Sequence, residues 1–245
     1  MVLALRGVRV VYGRHPALDG FDLDVAAGER VALVGPSGAG KTTVLRLCTG
    51  GVQPSAGRVE VLGHDLGTVT PEELRAVRRR VGTVYQQLNL VGPLRVVHNV
   101  NAGRLGWWTR RRAVRSLVKP AEVDVARAAL ARVGIADKLH ERTDRLSGGE
   151  QQRVALARVL VQEPELILAD EPVSSLDPAR AEEVMDLLGE VVADRGRTLL
   201  VSLHDFGLAR RRCDRVVGMR AGRVVFDLPA GDVTDELGVE LYRIG

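Results

Sequence analysis

Residues 35–43 read GPSGAGKTT, and their types and spacing are those of a phosphate grip. Gly35, Gly40, Lys41 and Thr42 satisfy G-x-x-x-x-G-K-[ST], with the apolar run ERVALV before them and KTTVLRLC, a helix-like run, after them. In such a loop the glycines turn backbone N–H groups inward around a β-phosphate, the lysine brings a point charge to the β and γ oxygens, and the hydroxyl coordinates magnesium. The expectation is a nucleotide site built from Gly35, Pro36, Ser37, Gly38, Ala39, Gly40, Lys41, Thr42 and Thr43. A chance turn does not explain a lysine and a hydroxyl together at a helix start.

Two more stretches carry chemistry. LILADEP ends an apolar strand on two carboxylates, where open α/β sheets bind ligands. Asp170 is expected to hold magnesium, directly or through water, and Glu171 to orient or deprotonate the water that attacks a γ-phosphate. LSGGEQQRVALAR, residues 146–158, has a serine and two glycines at the start of a helical pattern, a second place where dipole and free N–H groups favour an anion. Read locally, it is also a serine cap with glycines for a tight turn. Small-molecule kinases share the loop and the carboxylates; the second glycine turn sets this chain apart from them.

The elements that must position these residues follow from the pattern. Residues 2–11 and 21–25 read as strands of an antiparallel sheet, with GRHPALDG supplying the turn. ERVALVG, GRVEVLG (57–63), VGTVY (81–85), ELILA (165–169) and RTLLVSL (197–203) read as further strands, and DRVVGMRAGRVVFD (214–227) as a hairpin. TPEELRAVRRR has a helix N-terminus, residues 88–163 are largely helical, and PARAEEVMDLLGEVVADRG is a helix between two strands. Alternation of this kind predicts an α/β fold with a mostly parallel sheet covered on both faces.

Composition bounds the reading. A chain of 245 residues with 45% apolar residues buries a proper core, and its net charge of +4 is no argument for nucleic acid. The arginine runs RAVRRR and RRRAVR read as solvated helix faces. The opening MVLALRGVRVVYG has no signal-peptide layout and no stretch approaches a bilayer span, which predicts a cytosolic protein. Cys48 and Cys213 read as reduced thiols.

Taken together, LSGGE, the downstream DEP, SSLD at 174–177 and His204 at the end of TLLVSL resemble the nucleotide-binding subunit of an ABC transporter over nearly the whole chain. The resemblance implies one P-loop NTPase (RecA-like) domain with an antiparallel β subdomain: residues 1–86 and 164–245 as core, 87–163 as an inserted helical subdomain. It implies ATP and magnesium as ligands and a head-to-tail dimer with a second ABC subunit, a homodimer. There Ser147, Gly148, Gly149 and Glu150 of one copy close over the γ-phosphate in the loop of the other, with Asp177 reaching across the seam. It further implies that Tyr12 stacks on adenine, that Gln86 touches magnesium and passes the nucleotide state to a membrane subunit, and that His204 contacts the γ-phosphate and holds the attacking water. Position 150 is Glu where glutamine is commoner, and Thr42 stands where serine is commoner.

The narrower resemblance is to the ATP-binding subunit of phosphonate importers, carried by NLVGPLRVVHNVNAGRLGWWT, VSLHDFGLARRRCDRVVGMRAGRVVFD and DVTDELGVELYRI. It implies transmembrane permease subunits as partners, a solute-binding protein acting indirectly, no nucleic acid, and a peripheral place on the cytoplasmic face of the membrane. Trp107 and Trp108 either cap the helical segment or dock a membrane partner. The alternatives are an exporting or lipoprotein-releasing machine and a soluble ABC ATPase of DNA repair or translation, whose usual coiled-coil insertion or second motor half does not fit this length.

Overall fold

The computed structural model describes residues 1–174 and 176–243; Ser175 of the SSLD stretch and Ile244 of the last quoted segment lie outside the described residues. The chain opens with β1 (Leu3–Tyr12) and β2 (His15–Val25), which pair antiparallel. The turn between them is shorter than GRHPALDG suggests, because His15 already pairs with Tyr12 and Pro16 with Val11. Gly13 at φ 63° permits the tight reversal, and Pro16 is accommodated because β2 is an edge strand.

There follow β3 (Arg30–Val34), α1 (Lys41–Cys48), β4 (Ala56–Val61), β5 (His64–Asp65), α2 (Pro71–Arg80) and β6 (Val81–Val84). Then come α3 (Val96–Asn101), α4 (Arg110–Val118), α5 (Val123–Arg132) and α6 (Gly148–Gln162). Residues 88–163 are therefore helical in four short to medium pieces joined by loops and single 3-10 turns. The rest is β7 (Leu166–Asp170), α7 (Pro178–Ala193), β8 (Thr198–Leu203), α8 (Phe206–Arg212), β9 (Arg215–Arg220), β10 (Arg223–Pro229) and α9 (Asp235–Tyr242). The helix starts obey local chemistry: Thr70 and Glu73 form a reciprocal capping box with Pro71 in the first turn of α2, and Asp177 caps α7 ahead of Pro178.

Four strands make an antiparallel sheet in the order β2-β1-β4-β5, and six make a second in the order β10-β9-β3-β8-β7-β6. In the larger sheet β9, β3, β8, β7 and β6 are mutually parallel, and β10 is antiparallel to β9 at the edge. Its central strands bury both faces by strict alternation. Ala32, Val34, Ile167, Ala169, Leu199 and Val201 join a core with α3, α5, α6, α7 and α8, whereas Val31, Leu33, Leu166, Leu168 and Leu200 join one with α1 and the antiparallel sheet. Both cysteines are buried and free, and burial pushes each thiol up to about 12. Among the described residues no helix is long and apolar enough to cross a membrane.

Candidate functional site

Strand order brings the chemistry together. The neighbours β3, β8, β7 and β6 run parallel, so their carboxyl ends lie side by side. From them emerge Gly35 to Thr43, then Ser202 and His204, then Asp170 and Glu171, then Gln86. Four segments far apart in sequence thus meet at one edge.

The loop after β3 is held by close backbone packing. A side chain at Gly35, φ 149°, would collide with the Met219 carbonyl, and a Cβ at Gly40, φ 103°, would lie 2.6 Å from the Ala17 carbonyl. Ala39 N–H donates to the Pro36 carbonyl at 3.1 Å and so closes the turn that contains Ser37 and Gly38. Lys41 is buried and donates to the Gly35 carbonyl at 2.7 Å and to the Pro36 carbonyl at 3.3 Å. Burial lowers its pKa, opposed by the charges of Glu171 and Asp170. Thr43 is buried behind the loop, while Thr42 faces outward. Gly40 is the N-cap of α1 and makes no side-chain cap bond, so the first N–H groups of that helix keep no side-chain partner at the cap.

The carboxylates are organised by a residue that sequence reading passes over. Ser202 is fully buried and lies opposite Asp170 in the β7–β8 register. Its hydroxyl donates to Asp170 Oδ1 at 2.7 Å and accepts from Glu171 N–H at 2.9 Å, so a single side chain fixes both positions. Thr42 Oγ1 donates to the same Asp170 oxygen at 3.2 Å. Glu171 adopts φ 47°, a left-handed conformation costing roughly 1–3 kcal/mol in a non-glycine residue. Its Oε1 lies 2.5 Å from His204 Nε2 and 4.0 Å from Lys41 Nζ. Glu171, His204 and Lys41 are therefore one cluster.

Thr42 Oγ1 and the Asp170 carboxylate fit magnesium: they are hard oxygen donors and few, and this ion keeps waters and substrate phosphate oxygens for the rest of its octahedron. Gln86 is exposed, with its amide 3.5 Å from Ser174 Oγ, the long limit of a hydrogen bond. Tyr12 is 45% exposed at the end of β1, on the hairpin whose second strand abuts Gly40 through Ala17. An exposed ring there is free to stack on a flat partner.

The second glycine turn stands elsewhere. Ser147 caps α6 and Glu150 completes a capping box: Ser147 Oγ accepts from Glu150 N–H at 3.3 Å, while Ser147 N–H and Oγ–H both donate to Glu150 Oε2 at 2.8 Å. Glu150 thus holds the serine hydroxyl, a larger part than its sequence position suggests. Its carboxyl is lowered first by the Ser147 backbone N–H, with burial opposing and Lys138 helping. No heavy atom outside the local chain lies within 4 Å of a Cβ built at Gly148 or Gly149, so the surface beside these two glycines is open. Asp177 Oδ1 accepts from Arg180 N–H at 3.1 Å, and its side chain is 55% exposed. Gln152 donates to the Pro172 carbonyl and Arg158 to the carbonyls of Leu88 and Asn89 at 2.8 Å, so α6 touches both the turn after Glu171 and the loop after Gln86.

The tryptophans divide. Trp108 Nε1 donates to Glu122 at 3.3 Å and Arg112 lies over its ring at 5.0 Å, a capping arrangement. Trp107 is 53% exposed beneath Arg79 at 5.5 Å, with Leu105 beside it also exposed.

Residues 18–174 match the ABC transporter family. The chain is 52% identical over 98% of its length to the phosphonates import ATP-binding protein PhnC of Anaeromyxobacter dehalogenans, and it covers 48% of that relative, about half its length. It is 50% identical over 95% of its length to phosphonates import ATP-binding protein PhnC 2 of Pseudomonas aeruginosa, covering 88% of it. The dimeric structure of the bacterial ABC transporter cassette MJ0796 is similar at TM-score 0.80 and 29% identity, over 93% of this chain and 98% of that one. With the phosphate loop, the paired carboxylates and the glycine turn in the places described, this chain belongs to the ABC transporter family.

Proposed function

We propose that this chain is the ATP-hydrolysing motor subunit of an importer for phosphonates or a related phosphorus oxyanion. The observation that carries the chemistry is the cluster at the carboxyl edge, where Thr42, Asp170, Glu171, Ser202 and His204 are joined by contacts of 2.5–3.2 Å. The cargo assignment rests on the phosphonate import relatives and on the segments that resemble them.

In this mechanism the nucleotide phosphates lie on the Gly35–Thr43 loop, with Lys41 turning from the Gly35 and Pro36 carbonyls to the β and γ oxygens. Tyr12 stacks on the base. Thr42 and Asp170 would hold magnesium, with Gln86 as a further ligand, and the ion would supply charge neutralisation on the β and γ phosphates. Water adds to the γ-phosphorus, its proton passes to Glu171, and the bond from phosphorus to the bridging oxygen breaks to release ADP and phosphate. His204 steadies Glu171 from 2.5 Å and reaches toward the γ-phosphate.

One copy supplies only part of this pocket. Gly148 and Gly149 N–H of a second copy close over the γ-phosphate together with its Ser147 hydroxyl, which exchanges its Glu150 acceptor for phosphate, and Asp177 meets the same seam. Closure moves the loop after Gln86, to which Arg158 ties α6, and the exposed face at Leu105 and Trp107 carries that movement to a permease. The protein acts at the cytoplasmic face of the membrane.

Mixing two crippled subunits tests the shared pocket. Ser147→Arg and Lys41→Ala, each inactive alone, should together recover up to roughly a quarter of wild-type turnover, because one composite site in the mixed dimer is intact. No recovery, with only monomers crosslinked in magnesium and ATP, removes the reading.

A further inference from the structure

Tyr242, near the end of α9, touches two elements of the site at once. Its hydroxyl accepts from Gly35 N–H at 3.2 Å and donates to the His204 carbonyl at 3.0 Å. Gly35 opens the phosphate loop after β3, and His204 follows β8. Both backbone groups lie outside regular helix and strand hydrogen bonding, so this one phenol links the loop to the histidine backbone. Burial raises the phenol's pKa and keeps it protonated, as the donation to His204 requires.

The helix that carries Tyr242 is fixed at several points. Asp235 in its first turn pairs with Arg210 of α8 at 2.5 Å. At Gly238 an added Cβ would lie 2.9 Å from Phe206, so glycine allows α9 to sit directly on the start of α8. Leu241 is buried beside Tyr242, and the Arg243 carbonyl accepts from Arg220 of β9 at 2.9 Å. The phenol is thus held by packing that does not depend on either of its hydrogen bonds.

We propose that Tyr242 is a positioning residue for ATP hydrolysis: it sets His204, and through it Glu171, relative to the phosphate loop. This rests on the motor reading given above. The phenol touches no reacting atom; it acts through the backbone of His204, whose Nε2 holds Glu171 at 2.5 Å. Losing the hydroxyl leaves the loop glycines and Lys41 in place to bind phosphate but frees the histidine to drift, so turnover suffers more than affinity.

Tyr242→Phe removes the oxygen and keeps the ring. The expected result is a kcat roughly three- to tenfold lower, with magnesium-ATP affinity within about twofold of wild type, in keeping with one lost hydrogen bond. In a His204→Ala background the same change should cost nothing further, because its route is already cut. Without nucleotide, amide exchange in peptides covering 35–41 and 203–208 should quicken in Tyr242→Phe. An unchanged kcat, an affinity loss that accounts for the whole kcat loss, or losses that simply multiply with His204→Ala would overturn the proposal. If the wild-type protein neither binds nor hydrolyses ATP, the motor reading fails; the exchange comparison then still decides whether Tyr242 ties the two segments, and unchanged exchange refutes it.

Discussion

Two of the described helix starts, those of α1 and α6, carry sequences that suit an anion, and they are built in opposite ways. At α1 the cap is Gly40 in a left-handed conformation, without a side-chain cap bond and without an acidic residue in the first turn. At α6 the cap is Ser147, its hydroxyl spent on Glu150 N–H, with the Glu150 carboxylate folded back over it. The first start leaves donors unspent beside a buried lysine; the second satisfies itself and adds a negative charge. Under the proposed motor reading the first start takes phosphate bound to its own chain and is kept ready, whereas the second awaits phosphate held by another copy and is stable meanwhile. What remains open at α6 is the space beside Gly148 and Gly149, where an added Cβ would meet nothing within 4 Å.

The sharpest cut leaves both cradles intact and removes the chemistry between them. Glu171→Gln preserves the shape next to His204 but cannot take a proton from water. Turnover should fall roughly 10²- to 10⁴-fold with ATP still bound and closed dimers accumulating. Steady-state hydrolysis and size-exclusion chromatography with magnesium and ATP check this, and near-normal turnover would strip Glu171 of its role.

Lys41→Ala attacks the ready cradle alone. Two charge-assisted contacts to phosphate are lost, so affinity for magnesium-ATP should drop about 100-fold by calorimetry. Retained affinity would mean that the loop is not the primary phosphate grip and that the contrast with α6 is decorative.

How far these features could be read beforehand depended on their range. The loop at 35–43 and the carboxylates at 170 and 171 are contiguous, and their flanking apolar runs announce strands; both were legible. The order β3-β8-β7-β6 was not, since pairing of distant strands is settled by crossovers and packing, not by local pattern. Ser202 was hidden for that reason: within TLLVSL it is one hydroxyl in an apolar run until the register sets it against Asp170. His15 to Gly20 read as turn because proline, glycine and aspartate dominate there, yet their place at a sheet edge lets them extend. The hold of Glu150 on Ser147 was hidden because its carboxylate acts on the backbone three residues back.

A glycine-to-alanine pair separates the cradles by what surrounds them. Gly40→Ala puts a methyl against the Ala17 carbonyl and the Leu18 side chain at a φ that alanine avoids, and should cost about 2 kcal/mol or more of folding stability by urea denaturation. Gly148→Ala meets no neighbour within 4 Å and lies in the first turn of a helix, so stability should stay within about 0.5 kcal/mol of wild type. Its turnover should nonetheless fall roughly tenfold, because the methyl stands where a second copy's phosphate would approach. Full activity in Gly148→Ala would place the closing surface elsewhere.

The smallest effect concerns the self-satisfied start. Glu150 is ionised in both folded and unfolded chains at neutral pH, and the Ser147 N–H holds its folded value below the ordinary glutamate range. A depressed carboxyl contributes its stability fully above the unfolded value, near 4.3, and loses it as pH falls through the folded one. Glu150→Gln keeps an acceptor for Ser147 but does not titrate there. Urea midpoints measured from pH 6 downward should therefore fall more steeply in wild type than in Glu150→Gln once the pH passes below about 4. The other acidic groups, including Glu73 in its own capping box, are common to both proteins and cancel in the difference. If the two curves run parallel throughout, Glu150 does not hold Ser147, and the start of α6 is as unspent as that of α1.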